Sequence, residues 1–91
     1  MKKQDILENQ VNFAYLALGS NLGDKKNNLN TSIDLIQKEG ILIKKRSKFY
    51  STKSWPNENF PSFMNSIILI ETRLNLDQLF FKIKKIEKKN R

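Results

Sequence analysis

Several residues in this 91-residue chain have the types and spacing for ligand chemistry. Phe63 and Asn65 stand two apart, so on a strand both side chains leave the same face. An aromatic ring beside a carboxamide can hold a flat heteroaromatic ligand, the ring by stacking and the amide by matching donors and acceptors along its edge. Gly19-Ser20-Asn21 follows directly on the apolar run Phe13–Leu18. A glycine there lets backbone approach a ligand or a neighbouring loop, and Ser20 and Asn21 offer hydrogen bonds. Trp55 and Phe60 sit with Pro56 and Pro61 in the segment Lys53–Ser62, as a loop-packing pair or as a movable lid over a planar ligand. Each has a plainer reading beside it: Phe63 alone suits a core, and a Gly-Ser-Asn triplet alone suits a capped turn.

Other chemistry is restricted by what the composition lacks. There is no histidine and no cysteine, so zinc sites, thiolate nucleophiles and imidazole acid–base catalysis are excluded within the chain. The acids are Asp5, Glu8, Asp24, Asp34, Glu39, Glu58, Glu71, Asp77 and Glu87, and no two form a D-x-D pair. Phosphoryl-type transfer from ATP needs Mg²⁺ held by acidic ligands, so neither a catalytic residue nor a metal ligand is assigned here. The Walker A pattern G-x-x-x-x-G-K-[ST] is also absent. Glu87 flanks an apolar helical stripe as a lone acid among lysines, where it suits an ion pair with Lys84 or Lys88.

The elements that must position these residues follow from the periodicity. Residues Met1–Asn12 are charged and amide-rich, and read as a mobile extension. Phe13–Leu18 has no charge and reads as a strand buried on both faces. Asp24 is a suitable N-cap for a helix over Lys25–Glu39, with Leu29, Ile33 and Ile36 on one face, widened by Leu35, and Gly40 after its end. Ile41–Thr52 alternates as one strand, with Lys44, Arg46 and Lys48 in a row that suits a protected sheet edge. Lys53–Ser62 is a loop, and Phe63–Leu74 a third strand whose run Ile67-Ile68-Leu69-Ile70 predicts cover on both faces. Asn75 and Gln78 form a capping box before a helix with the apolar stripe Leu76, Leu79, Phe80, Ile83 and Ile86. The order strand–helix–strand–strand–helix predicts an α+β fold, a ferredoxin-like βαββα sandwich lacking its fourth strand.

Seventeen basic against nine acidic side chains leave a net charge of +8. Such an excess attracts nucleic acid, acidic membrane or nucleotides, and it is equally the mark of a lysine-rich solvated surface. No stretch has signal-peptide character or the ~20 apolar residues of a membrane span, so a cytoplasmic protein without membrane contact is expected. One domain of this size buries only ~60% of its unfolded surface, which predicts a small core and modest stability.

Four pieces of the sequence agree in order and spacing with one family. Ala14-Tyr15-Leu16-Ala17-Leu18-Gly19-Ser20-Asn21-Leu22-Gly23-Asp24 resembles the opening signature of the 6-hydroxymethyl-7,8-dihydropterin pyrophosphokinases, and Phe49-Tyr50-Ser51-Thr52, Phe63-Met64-Asn65 and Ile86-Glu87 follow suit. The resemblance runs from about Tyr15 to the end, and implies folate biosynthesis by diphosphoryl transfer from ATP, with Mg²⁺, to a pterin alcohol. It implies that Phe63 stacks on the pterin, that Asn65 bonds its edge, and that backbone at Thr52 reads it beside Gly19, Ser20 and Asn21. It further places Glu87 near ATP. The family's Mg²⁺-binding aspartates and most of its phosphate-binding arginines lie on later segments, as does a strand that lies against the first. The chain therefore resembles the N-terminal, pterin-binding half, expected to be inactive alone. It departs from the family at Lys53, where proline is usual, at Trp55-Pro56, where a glycine commonly lies nearby, and at Asn90-Arg91 in place of Gly-Arg. The alternatives are a small basic RNA-binding module, although the aromatic-rich strand motif of such proteins is missing, and a non-catalytic subunit that completes its sheet with another chain.

Overall fold

The computed structural model describes residues 10–89, in the order β1 (Asn12–Ser20), α1 (Lys25–Lys38), β2 (Leu42–Arg46), β3 (Tyr50–Thr52), β4 (Phe63–Thr72) and α2 (Leu76–Lys89). Of the extension expected over residues 1–12, residues 1–9 lie outside the described residues, and Asn12 already pairs with Thr72. The fold is α+β: an open antiparallel sheet in the order β1-β4-β2, with β3 also on β4, and two helices, a ferredoxin-like arrangement. Among the described residues β1 pairs with β4 alone, which leaves its other edge open.

Local chemistry sets the helix ends as expected. Asp24 Oδ1 accepts the Asn27 N–H at 3.2 Å, and Gly40 takes φ 81° just past the end of α1. At α2 the Gln78 N–H donates to Asn75 Oδ1 at 2.8 Å, and the Asn75 N–H donates to Gln78 Oε1 at 3.0 Å.

Both helices cover the same face of the sheet. Ile68 and Ile70 of β4 are fully buried there against Ile36, Ile41, Leu79 and Ile86, with Ala14, Leu16 and Leu18 of β1 packed around them. Among the described residues the opposite face is open, and this corrects two expectations. Phe13 and Tyr15 on β1 are 59% and 75% exposed, and Ile67 on β4 is exposed too. A strand needs a layer on each side to bury both sets of side chains, and helices lie on one side only, so β1 alternates half-buried and exposed. The stripe of α2 is also narrower than its spacing predicts. Leu79 and Ile86 are buried, while Leu76 and Phe80 face solvent.

The single strand expected over Ile41–Thr52 is two collinear segments on one side of β4. At the break, the Ser47 N–H donates to the Ile67 carbonyl at 2.8 Å, and the Ile67 N–H donates to Ser47 Oγ at 2.9 Å. The serine hydroxyl thus takes over a ladder position that a backbone carbonyl would hold. A register shift between Ile43 and Lys45 also splits the predicted row of cations. Lys44 pairs with Glu71 at 3.7 Å, whereas Arg46 reaches Asn30 of α1 at 3.4 Å.

These contacts predict the pattern of stability losses in urea unfolding. Ile68→Ala should cost about 2–5 kcal/mol through the cavity it leaves. Asn75→Ala should cost only about 1 kcal/mol, the usual worth of a helix cap.

Candidate functional site

On β4, Phe63 and Asn65 leave the sheet on the open face, away from the helices. The register places Gly19 of β1 opposite Asn65 on one side. On the other side Tyr50 lies opposite Asn65 and Thr52 opposite Phe63. Residues from three strands therefore meet where β1 closes into its turn.

Hydrogen bonds hold the carboxamide in one orientation. Asn65 Nδ2 donates to Thr52 Oγ1 at 2.8 Å and to the Tyr50 carbonyl at 3.4 Å. Its Oδ1 points toward Gly19. A Cβ built on Gly19 would stand 3.0 Å from Asn65 Oδ1 and 3.5 Å from the Phe63 ring. A side chain at position 19 would crowd Asn65 Oδ1 while meeting the Phe63 ring at ordinary contact distance, so glycine keeps the space in front of the amide. The result is a half-buried ring beside an amide oxygen that no donor among the described residues occupies, an arrangement able to stack a flat ligand and accept an N–H from its edge.

Not all the expected residues join this group. Ser20 lies opposite Met64, one position on from Gly19, so its side chain leaves on the helix-covered side. There its hydroxyl accepts from Asn28 Nδ2 of α1 at 3.1 Å and donates to the Leu22 carbonyl at 3.4 Å, the work of a capped turn. Asn21 is half-buried in the same turn. Trp55 and Phe60 are 89% and 61% exposed, so they do not form a buried pair. Their loop is tied down instead by Ser54, whose hydroxyl donates to the Pro61 carbonyl, and by Lys25 Nζ, which donates to the Ser62 carbonyl at 2.7 Å. Glu87 is exposed on α2, in the helix layer, and makes no ion pair with Lys84, whose ammonium lies 5.4 Å from the Phe80 ring centroid.

Tyr50 belongs to the constellation and was not singled out in the sequence. Its signal was the alternation it shares with Thr52, which puts both on the face of Asn65. The donor set does not fit a Mg²⁺ ion at this place. Among the described residues no three acidic, histidine or cysteine side chains gather into a metal site. Glu71 is the one carboxylate on these strands, and it is engaged by Lys44. Nor is any helix among them long and apolar enough to cross a membrane.

The sequence was compared with known proteins. It matches the family profile of 7,8-dihydro-6-hydroxymethylpterin-pyrophosphokinase over residues 15–91. It is 39% identical over 74 residues to the 2-amino-4-hydroxy-6-hydroxymethyldihydropteridine pyrophosphokinase of Aquifex aeolicus, covering 81% of this chain and 46% of that protein. The protein of the same name from Porphyromonas gingivalis is 30% identical over 74 residues, covering 81% and 50%. A mitochondrial folate synthesis bifunctional protein of Pisum sativum is 33% identical over 82 residues, covering 90% of this chain and 16% of that one. The chain thus spans about half the length of the pyrophosphokinases it matches. The matched segment begins inside β1 and takes in every later element of the sheet and both helices, and on that extent the chain belongs to the 7,8-dihydro-6-hydroxymethylpterin-pyrophosphokinase family.

Proposed function

We propose that this chain supplies the pterin-binding part of a folate-pathway diphosphotransferase, the enzyme that moves a diphosphate from ATP to 6-hydroxymethyl-7,8-dihydropterin. The observation that carries this reading is the convergence of Gly19, Phe63 and Asn65 on the open face, within the segment that matches the family. Phe63 stacks on the pterin ring. Asn65 Oδ1 accepts an N–H from the ring edge, while Thr52 Oγ1 and the Tyr50 carbonyl hold the amide nitrogen and fix which way the group points. Gly19 leaves the room that the ring needs. The exposed Trp55 and Phe60 form the lid over a bound ring, and Ser20 and Asn21 shape the turn at its border.

The cosubstrate of this reaction is ATP with Mg²⁺. The described residues offer no carboxylate set for that ion, so no step is assigned to it, and Glu87 is left as the candidate contact to the nucleotide. The expected compartment is the cytoplasm, in keeping with a chain free of cysteine.

Titration of the chain with 6-hydroxymethyl-7,8-dihydropterin, followed by calorimetry, tests the binding role. Phe63→Ala and Asn65→Ala should each weaken binding about tenfold, the equivalent of ~1.4 kcal/mol from a lost stack or a lost hydrogen bond. Unchanged affinity in both variants would remove the assignment. With ATP, Mg²⁺ and the pterin alcohol together, the 91-residue chain should release no AMP above background. Measurable diphosphoryl transfer would show that the chain holds catalytic groups of its own.

A further inference from the structure

The free margin of β1 has backbone groups to spare, and the register says which. Ile67 turns both its N–H and its carbonyl to the Ser47 side of β4. These groups alternate in direction along a strand, so the even-numbered residues of β4 are the ones that bond β1. Opposite them stand Asn12, Ala14, Leu16, Leu18 and Ser20. Phe13, Tyr15, Ala17 and Gly19 therefore turn their N–H and C=O outward, where no strand among the described residues meets them. All four are exposed, and the side chains of the first three stand on the open face. Edge strands commonly carry a charge, a proline or a bulge that discourages pairing. Asn12–Ser20 carries none of these.

The margin is complementary to itself. Laid antiparallel to its own copy about a two-fold axis through Leu16, the strand pairs along all nine residues. Outward-turned residues then meet outward-turned residues, Phe13 with Gly19 and Tyr15 with Ala17, each pair exchanging two hydrogen bonds. On the open face a large side chain lies against a small residue each time, while Leu16 meets Leu16 on the helix side. An axis through Tyr15 sets Tyr15 against Tyr15 and leaves Gly19 and Ser20 without a strand partner. We propose that a second copy of this chain docks on the β1 edge in the Leu16-centred register, and that Phe13 of the second copy thereby stands beside Gly19 as a side wall of the Phe63–Asn65 site. An uncharged margin meets an uncharged margin, so what opposes the approach is the long-range repulsion between two bodies of +8. One strand pair is a small contact, below the ~1,200 Å² of stable complexes, and a dissociation constant on the order of micromolar is expected. The wall rests on the pterin reading, whereas the pairing does not.

Sedimentation equilibrium tests the pairing. The chain should reach a monomer–dimer equilibrium that stops at two, with association at least about tenfold tighter at physiological than at low ionic strength as ions screen the repulsion. Ala17→Pro removes an outward N–H and leaves every bond to β4 in place, and Tyr15→Lys adds a charge to the margin. Each should weaken the dimer at least about tenfold with circular dichroism unchanged. The register is read with introduced cysteines, since the chain has none of its own. A mixture of Tyr15→Cys and Ala17→Cys chains should oxidise to the mixed disulfide. Neither alone should link, because like positions sit on a diagonal about 7–8 Å apart. Phe13→Ala should weaken the binding of 6-hydroxymethyl-7,8-dihydropterin about threefold in the dimer and leave it unchanged in the dilute monomer. A chain that stays monomeric overturns the proposal and leaves the edge to a strand of different sequence. So does a dimer that both edge variants leave intact, or one whose cysteines link in like pairs. A dimer that binds no pterin would keep the pairing and remove the wall together with the pterin reading.

Discussion

β4 is the one described strand with partners on both edges, and every other part of the molecule is placed by that pairing. Its backbone is tied to β1 along one side and to β2, Ser47 and β3 along the other. Its two faces then have separate duties. Ile68 and Ile70 anchor both helices, while Phe63 and Asn65, a few residues earlier in the same strand, point the other way into the candidate site. Because side chains alternate strictly along a strand, the packing that fixes Ile68 also fixes the direction of Asn65. A one-residue slip would bury the amide and expose the core together.

That coupling explains why the candidate site could be read from residue types so readily. Two residues two apart on a strand must share a face, whatever the rest of the chain does. The end signals were equally local: Asp24, Gly40 and the Asn75–Gln78 pair act through hydrogen bonds or backbone angles within four residues of themselves. Burial was a different matter. An uncharged run such as Phe13–Leu18 is compatible with one covering layer or two, and nothing within the run records how many layers exist. Tyr15 therefore looked like interior and is surface.

The interruptions of the second strand show another kind of gap. A bulge leaves no mark in the alternation of Ile41–Thr52, since lysines occur on both sides of it. The break at Ser47 depends on a hydroxyl meeting the Ile67 N–H across the sheet, a contact between residues 20 apart in sequence. Tyr50 escaped notice for a related reason, since it acts on Asn65 through its carbonyl, a group every residue possesses. Ser20 hydrogen-bonds Asn28 of α1, because adjacent residues of a strand leave on opposite faces and Gly19 is the one that meets Asn65.

The open edge of β1 has a colloidal consequence. Its nine residues carry no charge, no proline and no bulge, whereas the opposite margin of the sheet has lysines at three positions from Lys44 to Lys48. With a surplus of +8 on so small a body, mutual repulsion is what keeps these bare margins apart in dilution. Dissolved salt shortens the reach of that repulsion to ~8 Å at physiological strength. Concentrated stocks of the chain would accordingly stay clear in weak buffer and turn turbid first in strong brine, the reverse of a protein held in solution by hydration alone.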